Sequence, residues 1–269
     1  MRKQLNHRHV KLDDLMENNK TLILAYDQGF EHGPEDFNLK NIDPEYVFNI
    51  ALEGKFNAFA VQPGIAEKYH VAHYKDIKLI IKLNGKTKFS GTEPVSRQHT
   101  SVQRALDLGA VAVGYTIYLG SKEEQTMFTE FGKIVEEAHS VGLPVICWMY
   151  PRGSAIHNDL STDILAYATR IAAELGADIV KIKFNGDIEG MKWVIKAAGR
   201  TKVVIAGGEK MGDLEVLKYA EAIMKSGASG LAIGRNVWQN DKPFEITKAL
   251  KQVVFHNNTA EEAFYMMRK

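Results

Sequence analysis

Short apolar runs rich in β-branched residues recur along the chain, at 21–27, 56–61, 77–83, 110–118, 143–150, 177–184, 202–206 and 229–233. Gly, Pro, Asn or Asp punctuates most of them, which is how buried strands read. The longer segments between them space their apolar residues for helices, and several carry start signals. Asp43-Pro44 offers an N-cap followed by proline at the first helical position, for a helix to about Gly54. Ser121 and Ser161 are placed to cap helices running to about Ser140 and Leu175. Further helices are expected after Gln62-Pro63-Gly64 to about Ala72, before Leu108-Gly109, and over 187–198, 213–225, 244–255 and 260–267. Gln28 to Pro34 reads as a long Gly/Pro loop. Eight strand–helix units in about 250 residues, with no low-complexity linker, are the arithmetic of an α/β protein with a (β/α)8 TIM barrel. The alternative is a doubly wound open sheet, but no G-x-G-x-x-G follows the first strand. The whole chain, 1–269, is expected to be one barrel domain with a short N-terminal arm and a C-terminal helix.

The sixth run carries the most unusual chemistry. Ala177-Asp178-Ile179-Val180-Lys181-Ile182-Lys183-Phe184 breaks at Asn185-Gly186-Asp187. In a strand, Lys181 and Lys183 share one side, and Val180, Ile182 and Phe184 take the other. Alternating lysines ordinarily mark a wet face. In a parallel sheet covered by helices, however, a strand lysine cannot readily reach water. Its ammonium is then disfavoured, and the neutral amine becomes a nucleophile suited to Schiff-base chemistry. A second lysine beside it acts in the same direction by like-charge repulsion.

Catalytic groups of such barrels sit at the C-terminal ends of the strands. Those ends read Asp27, Gln62, Lys82 with Asn84, Tyr118, Trp148 with Tyr150, Lys181 with Lys183, Gly207 with Gly208, and Gly234 with Arg235. Glycines ending the last two strands fit a phosphate site made of backbone N–H groups. Arg235-Asn236-Val237-Trp238 can add a short helix, with the arginine as a bidentate partner. Each residue has an ordinary structural reading: Asp27 as a cap, the glycines as turns, Trp148 and Tyr150 as core aromatics. Their joint occurrence around a two-lysine strand favours a site.

Composition narrows the setting. Lys and Arg total 34 against 33 Asp and Glu, so neither nucleic acid nor a membrane surface is an expected partner. The single cysteine, Cys147, excludes an intrachain disulfide and suits a reducing compartment. The stretch from Met1 to Leu15, with His7 and His9, lacks the apolar centre of a signal peptide or anchor. No apolar run approaches the roughly 20 residues needed to span a bilayer, and a cytoplasmic location is expected. No metal is expected, because none of the nine histidines lies at an expected strand end. His70 and His73, at i,i+3 on a polar helix, read as surface residues. No dinucleotide fingerprint supports a nicotinamide or flavin enzyme.

Asp27-Gln28-Gly29-Phe30-Glu31-His32-Gly33-Pro34, Trp148-Met149-Tyr150-Pro151-Arg152-Gly153, Lys181 in its strand, Ala206-Gly207-Gly208 and Ile233-Gly234-Arg235-Asn236 form an ordered set. Together they resemble the archaeal-type class I fructose-bisphosphate aldolases, a group that includes related bacterial enzymes and aldolase-like synthases. The resemblance covers essentially the whole chain. It implies a homo-oligomeric, metal-independent barrel enzyme of glycolysis and gluconeogenesis that acts on a phosphorylated ketose. No cofactor is implied beyond a covalent Schiff base on Lys181. The family's lysine falls on Lys181 by its distance from Tyr150-Pro151-Arg152-Gly153, a choice that alternation alone leaves open. Its tyrosine acid/base falls on Tyr150 and its first-strand acid on Asp27. Trp148, two residues before Tyr150, is placed as in the aldolases, whereas the synthase branch tends to lack it. Trp148, Lys183, Gly207, Gly208, Gly234 and Arg235 complete the candidate substrate- and phosphate-binding set, with Lys183 either tuning the field or contacting phosphate. The alternatives are a related Schiff-base synthase or transaldolase-type enzyme, and a barrel that binds a sugar phosphate without catalysis.

Overall fold

Parallel pairing runs right around the molecule and leaves no edge. The structure is a computed structural model that describes residues 10–89, 91 and 93–268. Strands β1 (Thr21–Ala25), β2 (Ala58–Val61), β3 (Leu79–Lys82), β4 (Ala110–Leu119), β5 (Val145–Pro151), β6 (Ile179–Ile182), β7 (Lys202–Ala206) and β8 (Gly230–Ile233) close in chain order. β8 pairs back to β1, with Thr21 opposite Gly230. Helices connect successive strands, so the expected (β/α)8 barrel is the observed fold. A two-stranded antiparallel ribbon, Asn84–Gly85 with Arg97–Gln98, follows β3.

The continuous apolar runs are explained by two buried faces. Ile23, Ala58, Ala60, Ile80, Ala112, Ile146, Ile179, Val204 and Ala232 fill the barrel interior. Their neighbours Leu22, Leu24, Phe59, Ile81, Val113, Val180 and Ile182 pack outward under the helices. Leu15, fully buried, joins the interior ahead of β1 with Leu12 and Met16 against it, and so closes the N-terminal end. The seam between β8 and β1 is tight: a Cβ on Gly230, at φ +146°, would lie 1.8 Å from the Thr21 carbonyl oxygen. The first nine residues of the expected arm, including His7 and His9, lie outside the described residues.

Several boundaries differ from the sequence reading, each for a local reason. The stretch expected as a loop forms a short helix, Gln28–His32, and a 3-10 turn, Pro34–Asp36. Gly33 at φ +76° ends the first, its N–H donating to Gly29 O. The helix after β2 stops at Tyr69, and His70 turns inward to bridge the carbonyls of Leu108 and Ile77. β4 runs on to Leu119, and the following helix, Glu124–Ser140, has Glu123 at its N-cap position with no side-chain capping bond, while Ser121 Oγ accepts the Glu123 N–H just before the helix. Asp43 and Ser161 do cap their helices, accepting from the N–H groups of Glu45 and Ile164. Such caps contribute about 1 kcal/mol each.

His139, at the end of the Glu124–Ser140 helix, ties that helix to the foot of the barrel. Its Nε2 lies 2.9 Å from Asp178 Oδ2, which also accepts the Val145 N–H at 2.8 Å. The hydrogen bond to Asp178 raises the histidine pKa above its ordinary value, with burial opposing and the carboxylate charge assisting. A pKa raised in the folded state stabilises below the unfolded value, and that stability fades as pH climbs through the folded one. Urea unfolding should therefore show wild type most superior to His139→Gln below about pH 6.5, with the gap shrinking as pH rises. A gap independent of pH would leave His139 a packing residue only.

Candidate active site

At the C-terminal ends of the strands the inward positions turn polar. In register, Thr116 of β4 lies beside Trp148 of β5, and Trp148 beside Lys181 of β6. A cavity of about 550 Å³ opens over this layer. The candidate catalytic and binding residues line it, namely Asp27, Trp148, Tyr150, Lys181, Lys183, Gly207, Gly208, Gly234 and Arg235, whereas the strand-end residues Gln62, Lys82, Asn84 and Tyr118 do not.

Lys181 is only 6% exposed, although it borders the cavity. Burial pushes its pKa below the usual lysine value; the charges of Asp27 and Glu31 oppose this, and that of Lys82 reinforces it. Its Nζ rests 5.2 Å from the centroid of the Trp148 ring. The indole fits because β4 has a glycine at the facing position. A Cβ on Gly114 would come within 2.2 Å of the ring. Among the described residues the buried Trp148 Nε1–H has no acceptor, so packing holds the ring in place.

The second lysine acting on Lys181 is not the expected one. β6 ends at Ile182, and Lys183 reaches to the rim, where its Nζ pairs with Asp159 Oδ2 at 2.5 Å. The lysine that matters is Lys82 of β3. It is 1% exposed, donates to Thr116 Oγ1 and to Asn84 Oδ1, and lies 4.0 Å from Asp27 Oδ2. Its Nζ is also 5.2 Å from the Trp148 centroid. Asn84 fixes this end of β3 to β4, exchanging side-chain hydrogen bonds with the Thr116 N–H and C=O. Lys82 was visible as a strand-end lysine at an inward position, the same signal that singled out Lys181.

Asp27 stands at the N-cap of the Gln28–His32 helix, yet its side chain makes no capping bond. The carboxylate is thus free to face Lys82. Tyr150 stacks near Tyr118, centroids 6.5 Å apart, with the Arg152 guanidinium 5.7 Å from its ring. Burial raises the Tyr150 pKa, as do Asp27 and Glu31, while Arg152 opposes. The phenol is therefore held neutral. Glu31, passed over in the sequence reading, accepts from the Tyr118 hydroxyl at 3.2 Å and borders the cavity.

The glycines of the last two strands have causes of their own. Gly207 donates its N–H to Ala232 O within the barrel ladder, so it is not a free donor for an anion. A Cβ there would strike Ile233, and one on Gly234 would crowd Ala25 O and the Trp238 indole. That indole donates to Ala25 O at 3.1 Å and clamps the end of β1. Gly208 needs its φ of +71°. The short helix Arg235–Trp238 forms as expected, and Asn236 holds the β7 loop through Gly207 O, Glu209 O and the Met211 N–H. Arg235 sits 3.5 Å from Asp36 Oδ1 and donates to Gly208 O. His32 meets the other oxygen of Asp36 at 2.7 Å. Among the described residues no cluster of His, Cys, Asp or Glu is placed to hold a metal ion, and no helix is long and apolar enough to cross a membrane.

A desolvated lysine amine beside a tyrosine and a carboxylate, at the mouth of a (β/α)8 barrel, is the equipment of a Schiff-base lyase. Comparison with known proteins agrees. The family model described as DeoC/LacD family aldolase matches residues 21–240. The class 1 fructose-bisphosphate aldolase of Thermoproteus tenax is 46% identical over 239 residues, which is 88% of this chain and 90% of that protein. A Methanocaldococcus jannaschii protein named fructose-bisphosphate aldolase/6-deoxy-5-ketofructose 1-phosphate synthase is 38% identical, over 90% of this chain and 84% of its own. An archaeal fructose-1,6-bisphosphate aldolase, solved with its catalytic Lys covalently bound to the carbinolamine intermediate of the substrate, superposes with a TM-score of 0.87. It is 44% identical over 90% of this chain and 97% of that one. The chain belongs to the DeoC/LacD aldolase family.

Gly114→Ala tests whether the Trp148 seat is as tight as the geometry says. Overpacking of this kind costs about 1–3 kcal/mol, which at this size lowers Tm by roughly 2–10 °C. Calorimetry that finds no drop in Tm would mean that the ring moves aside freely.

Proposed function

We infer that the protein is a class I, Schiff-base fructose-bisphosphate aldolase, reversibly cleaving fructose 1,6-bisphosphate to dihydroxyacetone phosphate and glyceraldehyde 3-phosphate. The observation that carries this is the amine of Lys181, buried against Trp148 with its protonated form disfavoured, in a chain whose 44%-identical structural relative is trapped as a carbinolamine on its catalytic Lys. No cofactor or metal is needed, because the iminium itself is the electron sink.

The proton inventory follows from the electrostatics. Neutral Lys181 adds to C2 of the ketose and gives a carbinolamine. Tyr150, held neutral by burial and by the nearby carboxylates, donates its proton to the departing C2 hydroxyl, which leaves as water. The resulting phenolate faces a cationic iminium and accepts the C4 hydroxyl proton as C3–C4 breaks. The electron pair passes into the iminium to give an enamine, and glyceraldehyde 3-phosphate leaves. Tyr150 returns its proton to C3, and water then adds to the iminium, its released proton restoring the Tyr150 phenol as dihydroxyacetone phosphate and the free amine separate. Asp27 orients the amine and the substrate hydroxyls. Arg235 and the backbone around Gly208 and Gly234 take a phosphate, while Gly207 shapes the loop. Lys183, drawn to the rim by Asp159, serves anion binding rather than the field at Lys181. Residues 1–269 are read as one such domain, acting in glycolysis or gluconeogenesis as a cytoplasmic homo-oligomer.

Borohydride reduction in the presence of fructose 1,6-bisphosphate, followed by peptide mass spectrometry, tests the assignment. The adduct is expected on Lys181. An adduct on Lys183 alone would exchange the two roles, and none at all would return the protein to a binding barrel. Tyr150→Phe keeps the ring and should lower kcat by about 10²–10⁴. A Phe variant with wild-type turnover would move the proton transfers to Asp27 or Glu31.

A further inference from the structure

The mechanism makes no use of the most deeply buried cation in the barrel. Lys82 does not border the cavity, and Asn84, Thr116, Trp148 and Asp27 enclose it. It sits behind the side chains that line the cavity, and it is read as acting through them. A charge kept in such a place needs a compensating partner. The partner is Asp27, whose Oδ2 lies 4.0 Å from Lys82 Nζ. Lys181, by contrast, has no ion-pair partner among the described residues.

We propose that Lys82 is a positioning residue: its buried ammonium is the fixed counter-ion of Asp27, so that a carboxylate serves the site without forming an ion pair with Lys181. An aldolase site of this kind faces a conflict. A carboxylate near the amine helps to hold hydroxyl groups, but it also favours the protonated lysine, which is not a nucleophile. Supplying the carboxylate with its own cation resolves that conflict. Trp148 makes the arrangement rigid, because its one ring is shared by both lysines. Two nitrogens each 5.2 Å from one centroid lie at most about 10 Å apart. At an effective dielectric of about 20, unit charges at that separation interact on the scale of one pKa unit.

The charges that act on Lys181 are Asp27 and Glu31 from the end of β1 and Lys82 from β3. Tyr150 and Arg152 from the end of β5, His32, Glu209, Tyr219 and Arg235 share the cavity, while Lys183 on its own element is engaged by Asp159. β4, β7 and β8 present Thr116, Ala206 and Ala232, none of which titrates. Loss of Lys82 removes a cation that opposes protonation and frees an anion that favours it. Both changes raise the proton affinity of the Lys181 amine.

The proposal rests on Lys181 as the Schiff-base residue, and the test separates the two. The rate of borohydride trapping with fructose 1,6-bisphosphate is measured against pH for wild type and Lys82→Met, with the adduct mapped in each. A wild type without adduct on Lys181 would sink the underlying reading. With that adduct present, the acid limb of the Lys82→Met profile should move up by about one pH unit, with kcat reduced near neutral pH and KM little changed. A limb in its wild-type place overturns the counter-ion role, whatever the loss of stability. If Lys82→Met does not fold, Thr116→Val is read instead, since it removes the ammonium's nearest acceptor. A smaller upward shift supports the proposal, and an unmoved limb refutes it.

Discussion

The chemistry of the mouth depends on keeping water away from one amine. Burial is the largest influence on Lys181, ahead of every charge around it. That burial is a property of the sheet before it is a property of the site. A closed parallel barrel offers no wet face, and alanines at Ala58, Ala60, Ala112 and Ala232 keep its interior narrow in β2, β4 and β8. The volume they leave is filled from β5 by Trp148, seated over Gly114. Charges then act on an amine already short of solvent, so modest differences in their placement decide how much of it is neutral.

Much of this was legible in the sequence. Eight apolar runs separated by helical segments require little beyond period and length to give a barrel. Once the barrel is assumed, strand ends become candidate site positions, Asp27, Tyr150 and Lys181 among many; their roles, and the choice of Lys181 over Lys183, came from the family resemblance. What escaped is what depends on cross-strand register. Lys82 and Lys181 are separated by two intervening strands, and only the indole lying between them shows that they belong to one cluster. Lys183, two residues from Lys181, is nearer in sequence and less relevant, because β6 stops before it and Asp159 draws it outward. Sequence distance was a poor guide to electrostatic distance.

The glycines carry a similar lesson. Gly207 and Gly234 were assigned to close approach by an anion. What forbids a side chain at either position is a protein neighbour, Ile233 in one case and Ala25 with Trp238 in the other. The short Gln28–His32 helix was hidden for a related reason, since Gly29 with Gly33-Pro34 just beyond makes the stretch look like a loop and only the packed structure shows otherwise. Such residues set the shape of the mouth from behind. They hold β1, β7 and β8 close enough that Arg235 and the Gly208 turn share one rim.

Arg235 and Lys183 each face the cavity already matched with a carboxylate, Asp36 and Asp159 respectively. If these two residues take the substrate phosphates as proposed, a rim matched in this way would exchange one anion for another. A small monoanion gains little by replacing a tethered carboxylate of equal charge. A phosphate dianion brings twice the charge and three equivalent oxygens to compete for the guanidinium and the ammonium. On that reading, preference for phosphorylated over plain sugars would be set by the resting rim before any hydroxyl is read.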